Sequence, residues 1–257
     1  MAEQRLSGKV AIITGASSGI GEAIANKFAH EGAAVVVNGL PGNPVFDVAS
    51  AIERRGGTAT YFEGDVAEET EAQECIQVAI KMFGKLNVLV NNAGYFDGME
   101  ETQNFPIATF DRLMWTNVRS TFLMTKYALP HLQKTQGNII STGSQAGFSG
   151  LAYFTPYGAS KAAIHAFMKG VAAEQGRYGI RANCVCPVST DNALANEGTI
   201  PLERRAAGTV IGETRLIRQD SPEEIANIYA FLASDEARSV TGELWFADGN
   251  VVNSKHN

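Results

Sequence analysis

Tyr157 and Lys161 are the two side chains whose types and spacing most directly indicate chemistry. They lie four residues apart in a stretch of helical periodicity, so both project from one face of a helix, one turn apart. A free phenol has a pKa of about 10, and a neighbouring ammonium group lowers such a pKa because it stabilises the phenolate. The pair is therefore suited to moving a proton to or from an alcohol or carbonyl oxygen. The apolar flanks of the pair argue against the simpler interpretation, a solvated helix edge.

Ser144 is a third candidate, thirteen residues before Tyr157 and just beyond the apolar run that ends at Ser141. In open α/β sheets, ligands bind at the carboxyl ends of the strands. A hydroxyl group there can hydrogen-bond a substrate oxygen and stabilise charge on it. The hydroxyl groups of Ser141 and Thr142 compete for this role, and ordinary turn chemistry would also explain any of the three.

The second candidate site is a glycine-rich turn, Thr14-Gly15-Ala16-Ser17-Ser18-Gly19-Ile20-Gly21. Gly15 permits a tight turn, Gly19 lets the backbone approach a pyrophosphate, and Gly21 lets a helix pack closely on the sheet. Free N–H groups at the start of that helix would face the phosphate, helped by the helix dipole. Because the turn follows the first strand and opens the first helix, it favours dinucleotide binding over a turn that serves geometry alone.

The elements that would position these residues alternate along the chain. Short runs rich in Val and Ile indicate strands buried on both faces, as in a parallel sheet: Lys9–Thr14, Ala34–Asn38, Thr58–Glu63, Leu86–Asn91, Asn138–Ser141, Arg181–Pro187 and Glu243–Ala247. Stretches of helical periodicity lie between them: Ile20–Glu31, Glu69–Phe83, Thr109–Leu132, Tyr157–Tyr178 and a helix that opens at Ser221.

This alternation predicts the α/β class. We expect one domain over residues 1–257, built on a Rossmann-type doubly wound parallel sheet of about seven strands with helices on both faces. The periodicity weakens over about residues 188–215, where we expect a substrate loop.

The composition argues against several other classes of protein. The net charge is −6 and no basic block stands out, so we expect no nucleic-acid partner. The chain has no long apolar run and a polar N-terminus, so we expect neither a membrane span nor a secretory signal. Three cysteines make no disulfide framework, which fits a cytoplasmic protein. We interpret Cys184 and Cys186 as buried thiols on one strand face and expect no metal site, because no histidine cluster accompanies them.

The Gly-x-x-x-Gly-x-Gly spacing of the turn resembles that of the short-chain dehydrogenase/reductase family. Further motifs carry the same resemblance in the same order, from about residue 6 to residue 251: Asn91-Asn92-Ala93-Gly94, Asn117, Ser144, Tyr157-Gly158-Ala159-Ser160-Lys161, Ser221-Pro222-Glu223-Glu224, Val240-Thr241-Gly242-Glu243 and Asp248-Gly249. The resemblance implies an oxidoreductase that transfers a hydride between NAD(P) and an alcohol or carbonyl substrate. Tyr157 would be the acid/base, and Ser144 would steady the reacting oxygen.

The resemblance also implies roles that the residues alone do not show. Lys161 would hydrogen-bond the nicotinamide ribose, and the backbone carbonyl of Asn117 would hold a water molecule that links Lys161 to solvent. The expected cofactor contacts lie in the glycine turn, at strand ends and in the catalytic pair: Gly15, Ser17, Ser18, Gly19, Ile20, Gly21, Asn38, Gly39, Leu40, Asp65, Val66, Asn91, Ala93, Gly94, Tyr157, Lys161, Pro187, Val188, Thr190 and Asn192.

Two departures from the family pattern concern the cofactor. Gly39 stands where an acid would bind the adenosine ribose and favour NAD, yet neither its neighbour nor the glycine turn offers the Arg or Lys that favours NADP. We expect NAD(P), with a slight preference for NADP through Asn38, Ser17 and loop amides. Val188 replaces the usual Gly and Asn192 the usual Thr, which puts the nicotinamide contacts of that loop in question.

Proteins with either of two alternative functions would tend to lose a sequence feature that this chain keeps. A non-catalytic NAD(P)-binding regulatory protein would be free to lose Tyr157 or Lys161, and a lyase or dehalogenase of similar fold would tend to lose the glycine turn. All these residues are present.

The sequence constrains the substrate and the oligomeric state less than it constrains the reaction. Five aromatic residues either flank a pocket for an apolar or ring-containing alcohol or ketone or simply pack in loops: Tyr95, Phe96, Phe148, Tyr153 and Phe154. The helices Thr109–Leu132 and Tyr157–Tyr178 are apolar on more than one side. We therefore expect a homo-oligomer, a tetramer or a dimer, although burial within one subunit would give the same pattern.

Overall fold

A computed structural model of the chain describes residues 4–187 and 221–247. Strands and helices alternate along these residues: β1 Val10–Ile13, α1 Gly19–His30, β2 Ala34–Gly39, α2 Val45–Arg54, β3 Thr58–Glu63, α3 Glu69–Phe83, β4 Val88–Asn91, α4 Ile107–Leu113, α5 Ser120–Thr135, β5 Asn138–Thr142, α6 Thr155–Gln175, β6 Arg181–Pro187, α7 Pro222–Ala233 and β7 Leu244–Ala247. Val188, Thr190, Asn192, most of the predicted substrate loop and Asp248-Gly249 lie outside the described residues.

The strands form one seven-stranded sheet in the order β3-β2-β1-β4-β5-β6-β7, and all neighbouring strands pair in parallel. The predicted doubly wound sheet is therefore confirmed. The chain proceeds to one side of β1 through β2 and β3, and then crosses to β4 on the other side. At such a switch point the loops that follow β1 and β4 diverge and leave a crevice at the carboxyl edge of the sheet.

The helices cover both faces of the sheet, as predicted. Alternate residues of a strand point to opposite faces, and β1 shows the division: Ala11 and Ile13 belong to the core shared with α1, α2 and α7. Val10 and Ile12 belong to the core shared with α3, α5 and α6. These strand residues are at most 4% exposed, which explains why the strands are apolar throughout rather than alternating.

Two helices differ from the sequence prediction. The single helix expected over Thr109–Leu132 consists of α4 and α5, joined by a π-helical turn at Met114–Arg119. Helical periodicity predicted the approximate ends of this segment but not the π-helical turn within it, because a single π-helical turn changes an otherwise regular periodicity only locally. Residues 45–54 form α2, a helix that the sequence analysis did not predict, and its buried face begins at Val45. Among the helices that the structure describes, none is long and apolar enough to cross a membrane.

Candidate active site

A cleft of about 510 Å³ lies along the carboxyl edge of the sheet and joins the two candidate sites. Its lining includes most of the predicted site residues: Gly15, Ser17, Ser18, Gly19, Ile20, Gly21, Asn38, Gly39, Leu40, Asp65, Val66, Ala93, Gly94, Ser144, Tyr157, Lys161 and Pro187. The glycine turn and the catalytic pair, although about 140 positions apart in sequence, therefore face one cavity. Of the predicted residues that the structure describes, Asn91 and Asn117 lie behind this lining.

The glycine turn depends on the absence of side chains. Gly15 and Gly19 have φ angles of +59° and +57°, in the left-handed region that favours glycine. A Cβ on Gly21 would lie 2.2 Å from the carbonyl oxygen of Gly15, so any side chain there would separate α1 from the turn. The Ser18 side chain makes no capping hydrogen bond to α1, whose first N–H groups face the cleft. This turn has no side chains at its three glycines and offers backbone N–H donors, so it can accommodate the pyrophosphate of a dinucleotide.

Asn92 joins the glycine turn to the neighbouring strand. Its amide nitrogen donates to the carbonyl oxygens of Thr14 and Gly15 at 3.1 and 3.0 Å. The Thr14 hydroxyl oxygen accepts the N–H groups of Asn92 and Ala93, both at 3.0 Å. Sequence analysis quoted Asn92 within a motif but missed its contacts, because they span 77 to 79 residues of chain.

Asn91, which is predicted to contact the cofactor, has its side chain buried within the sheet, so any such contact would come from its backbone. Its amide nitrogen donates to the hydroxyl groups of Thr125 and Ser141, at 3.1 and 3.3 Å. Strand alternation is the physical reason, since neighbouring residues at the end of β4 point in opposite directions.

Lys161 lies next to Tyr157 on α6, as the spacing predicted. The Lys161 side chain is 3% exposed, and its ammonium group donates to the Thr142 carbonyl oxygen at 2.9 Å. That ammonium lies 5.6 Å from the centre of the Tyr157 ring. The ring itself packs edge-on against Phe96, with centroids 5.1 Å apart. The phenol is thus held between an aromatic wall and a fixed positive charge.

Ser144 is the hydroxyl that the structure favours among the three left open by the sequence. Ser141 is buried in the sheet and donates to the Met168 sulfur at 3.0 Å. The Thr142 hydroxyl bonds the side chains of Asn92 and Tyr229 at 3.0 and 2.7 Å. Ser144 lines the cleft, as Thr142 does, and among the described residues the Ser144 hydroxyl oxygen accepts only the N–H of Ala146, at 3.2 Å. Its O–H therefore stays available to a ligand.

Asn117 is fully buried in the π-helical turn. Its amide group exchanges two hydrogen bonds with the backbone of Tyr95, at 2.6 and 3.0 Å. The same amide nitrogen donates to the Ser160 hydroxyl at 3.0 Å, and the Asn117 carbonyl oxygen accepts the Thr121 hydroxyl at 2.9 Å. Asn117 thus fastens the loop after β4 to α6 beside Lys161. π-Helical turns frequently mark functional sites.

Three of the five aromatic candidates line the cleft, namely Tyr95, Phe96 and Phe154. Phe148 does not: it is 70% exposed and packs edge-on against Phe246. Tyr153 is also outside the lining and has a left-handed backbone, with φ of +67°. Sequence analysis missed other cleft residues, which lie in α4, the π-helical turn and loops: Met99, Arg112, Trp115, Thr116 and Leu151.

Comparison with known proteins decides the family. The model of the short chain dehydrogenase family matches residues 9–200. The chain belongs to the short-chain dehydrogenase family. Xanthoxin dehydrogenase of Arabidopsis thaliana is 33% identical over an alignment of 267 residues, gaps included, which covers 98% of this chain and 93% of that protein.

Two solved structures of dehydrogenases show the same fold. A short-chain dehydrogenase of Burkholderia cenocepacia in complex with NADP has a TM-score of 0.86 and 30% identity, covering 95% of this chain and 98% of that one. A 7α-hydroxysteroid dehydrogenase complexed with NADH and 7-oxo glycochenodeoxycholic acid has a TM-score of 0.89 and 32% identity, covering 99% and 98%. The chain is an NAD(P)-dependent oxidoreductase, which confirms the predicted family and activity.

At the ribose end of its cleft, this short-chain dehydrogenase lacks the acid that would favour NAD. A Cβ on Gly39 would lie 2.7 Å from a methyl group of Val45, which explains why a larger residue does not fit. The Asn38 amide donates to two carbonyl oxygens at the end of β3, at 3.2 and 3.1 Å, so it is committed to the fold. Within the described lining the cations are Arg112 and Lys161, and both lie at the catalytic end.

Asp65 and Val66, expected to contact adenine, line the cleft just beyond β3. The Asp65 carboxylate accepts the N–H of Ala67 at 2.9 Å, and the Asp65 N–H donates to the Glu71 carboxylate. Val66 is 3% exposed. These contacts fix the loop between β3 and α3 as one wall of the cleft.

His165 lies close to Cys184 and Cys186, behind the loop that carries Ser144. The imidazole Nε2 lies 3.3 Å from the Cys186 sulfur and accepts the Ser144 N–H at 3.4 Å. A hydrogen bond from the Cys184 thiol lowers the pKa of the Cys186 thiol. The pKa of Cys184 is raised by its bond to Cys186 and by burial. Sequence analysis missed His165 because it lies 21 residues from Cys186 and on another element.

Proposed function

We propose that Tyr157 is the acid/base of an alcohol dehydrogenase or ketone reductase. The observation that carries this proposal is the position of the Lys161 ammonium, buried and 5.6 Å from the Tyr157 ring, at the opposite end of the cleft from the glycine turn. A fixed positive charge beside a phenol favours the phenolate, the form that accepts a proton from an alcohol.

Each residue at this end has a distinct task in the proposed reaction. Tyr157 donates its proton to a carbonyl oxygen, or removes one from an alcohol. The Ser144 hydroxyl donates a hydrogen bond to that oxygen and stabilises its developing charge. Lys161 holds the nicotinamide ribose and steadies the charge on Tyr157. Bound NAD(P) supplies or accepts the hydride.

Asn117 would act on the proton path. Its backbone carbonyl oxygen accepts the Thr121 hydroxyl and lies in the π-helical turn, where the backbone departs from regular α-helical hydrogen bonding. We assign to this carbonyl a water molecule that connects Lys161 to solvent. Its side chain meanwhile positions the Tyr95 loop, so Asn117 is also a positioning residue.

For the cofactor we propose a slight preference for NADP. Among the described residues, Gly39 leaves no carboxylate at the position that would repel a 2′-phosphate, while Ser17 and Asn43 line the cleft there. Because the Asn38 amide is committed to backbone carbonyls, loop amides and Ser17 carry this preference. Asn91 would support the cofactor loop from behind. At the nicotinamide end, Pro187 lines the cleft, and Val188, Thr190 and Asn192 are proposed to hold the carboxamide.

For the substrate we propose a ring-containing, largely apolar alcohol or ketone. Phe96, Phe154, Trp115, Met99 and Leu151 give the catalytic end an apolar wall. Two similar proteins support this class of substrate, a xanthoxin dehydrogenase and a 7α-hydroxysteroid dehydrogenase complexed with 7-oxo glycochenodeoxycholic acid. Apolar walls favour rings over small, heavily hydroxylated sugars.

We also propose that residues 1–257 act as one domain within a cytoplasmic homo-oligomer, a homotetramer or a dimer. Ile107, Phe110 and Phe122 on α4 and α5 are 75%, 40% and 47% exposed, an unusual apolar surface for a monomer. The three cysteines are free. Light scattering coupled to size exclusion measures the mass, and a monomeric mass would contradict the assembly.

The activity is tested with a panel of cyclic ketones and alcohols, steroids and sugars, by following nicotinamide absorbance. We expect turnover with a cyclic substrate, lost in Tyr157→Phe and retained in Tyr178→Phe. Tyr178 is a suitable control because it is exposed at the far end of α6. Unchanged turnover in Tyr157→Phe would contradict the assigned acid/base.

A further inference from the structure

Three potential metal ligands meet outside the reaction described above. The Cys184 and Cys186 sulfurs and one imidazole nitrogen of His165 all lie within 4.8 Å of one another. Cys184 and Cys186 are two residues apart on β6, so their side chains share one face, and His165 approaches from α6. All three residues are buried, with at most 6% exposure.

We propose that His165, Cys184 and Cys186 form a binding site for a thiophilic divalent cation such as Zn²⁺. Two thiolates and one imidazole are ligands that zinc prefers. Zinc lies about 2.3 Å from sulfur and about 2.0–2.1 Å from nitrogen, so tetrahedral ligand atoms are about 3.5–3.8 Å apart. The 3.3 Å between the Cys186 sulfur and Nε2 of His165 is close to that separation.

The three donor atoms converge on one point. A Cβ built on Gly143 would lie 2.4 Å from Nε2 of His165, 2.7 Å from the Cys184 sulfur and 2.9 Å from the Cys186 sulfur. A side chain at residue 143 would therefore fill the space between the ligands. An ion in this space would lie between all three donor atoms, and small shifts of the side chains would bring them to coordination distance.

The site lies directly behind the cleft, and its imidazole is in the ligating form. Gly143, which has no side chain, lines the cleft and lies against the three donor atoms. Nε2 of His165 accepts the Ser144 N–H, so this nitrogen carries a lone pair and no proton. Three protein ligands leave the fourth position of a tetrahedral zinc site to a ligand such as water.

Occupation of the site should inhibit the enzyme. The ion binds the lone pair of Nε2, so the Ser144 N–H loses its acceptor and the loop that carries Ser144 shifts. The two thiols lose their protons to solvent as the ion binds, which leaves the complex of ion and thiolates neutral. We therefore expect reversible inhibition by Zn²⁺, relieved by a chelator.

The test uses Cd²⁺ with the chelator-treated protein, because cadmium thiolates have a distinct ultraviolet charge-transfer absorbance. We expect one Cd²⁺ per chain with two thiolates. Cys184→Ala and Cys186→Ala should each reduce the affinity at least about tenfold, which is about 1.4 kcal/mol. Cys75→Ala is the matched control: Cys75 is equally buried, but on α3 and away from the cluster, and we expect it to bind Cd²⁺ as the parent does.

Gly143→Ala provides a second test that keeps all three ligands. The added methyl group should occupy the space of the ion and abolish the absorbance. The proposal is overturned if the parent protein binds no Cd²⁺, or if Cys186→Ala and Gly143→Ala bind it like the parent. Because absorbance reports binding without any substrate, the result does not depend on the proposed oxidoreductase activity.

Discussion

The two ends of the cleft are built in opposite ways. At the nucleotide end the site consists of backbone and empty space: Gly15 and Gly19 have left-handed backbones, and Gly21 leaves no room for a Cβ. At the catalytic end the site consists of side chains held by other side chains and by carbonyl oxygens, as Lys161 is held by Thr142. The nucleotide end is therefore sensitive to added atoms and the catalytic end to removed ones.

Tyr157→Phe should give the largest effect, because it removes the proton-transferring group and nothing else. We expect kcat/KM to fall about 10²–10⁴-fold, about 3–5 kcal/mol of transition-state stabilisation. Dinucleotide affinity should be retained, because the Tyr157 hydroxyl is one of many expected cofactor contacts and the glycine turn stays intact. Steady-state kinetics with a substrate from the panel measure the effect, and a matching loss of dinucleotide affinity would show that the two ends are not separable.

Glu31→Gln tests an ion pair at the C-terminal end of α1, the helix that begins at the glycine turn. The hydrogen bond from Arg5, at 2.7 Å, lowers the Glu31 pKa from 4.5 to about 2, and Lys27 lies 3.0 Å away. The carboxylate thus stabilises the fold above the unfolded pKa, and that contribution disappears as the pH falls towards 2. With solvent screening of this partly exposed pair, the shift corresponds to about 1–2 kcal/mol at neutral pH.

We therefore expect Glu31→Gln to lower the free energy of unfolding at pH 7 and to have little effect near pH 2, as measured by urea titration. Glu53→Gln, at an exposed position on α2, is the control. Because Glu31 follows the C-terminal end of α1, far from Gly19, dinucleotide affinity should not change. Equal destabilisation at both pH values would refute the assigned ion pair.

Gly21→Ala adds one methyl group at the nucleotide end. Its Cβ would lie 2.2 Å from the Gly15 carbonyl oxygen and 2.6 Å from the Asn92 amide nitrogen. We expect about 1–3 kcal/mol of destabilisation from overpacking, and weaker dinucleotide binding because α1 moves. Gly170→Ala on α6, where a Cβ meets nothing within 4 Å, should instead stabilise by about 0.5–1 kcal/mol. Thermal melts and binding titrations that show the two variants alike would contradict the assigned packing.

Thr142→Val removes one hydroxyl at the catalytic end and should have the smallest effect. It breaks the hydrogen bonds to Asn92 and Tyr229 but keeps the Thr142 carbonyl that holds Lys161. We expect a loss of about 1–3 kcal/mol in unfolding free energy, near the lower end, and a modest fall in kcat. A loss of activity as large as that of Tyr157→Phe would mean that the Thr142 hydroxyl itself acts on substrate.

The same contrast explains what could be predicted from the sequence. The glycine turn and the strands were predictable, because a bare backbone and buried strands leave local signals, glycine spacing and apolar runs. The pair of Tyr157 and Lys161 was predictable for the same reason, since both residues share one helix. These elements gave the fold class and the position of the cleft.

The hydrogen-bond network was not predictable. The bonds of Asn117 to Tyr95 and Ser160 span 22 and 43 residues, and the position of a side chain across such distances depends on packing rather than on local pattern. Asn91 shows the same limit, since the motif that contains it did not reveal which way its side chain points. His165 gave no signal because its partners lie on another element.

The most direct test of the account is a fluorescence titration of the parent, Tyr157→Phe and Gly21→Ala with NADPH and with NADH. Trp115 lines the cleft and should report binding by quenching. We expect saturable binding of both cofactors, slightly tighter for NADPH, with equal affinity in the parent and Tyr157→Phe and weaker affinity in Gly21→Ala. Absence of binding to either cofactor, or affinity unaffected by Gly21→Ala, would contradict the claim that this cleft holds the dinucleotide.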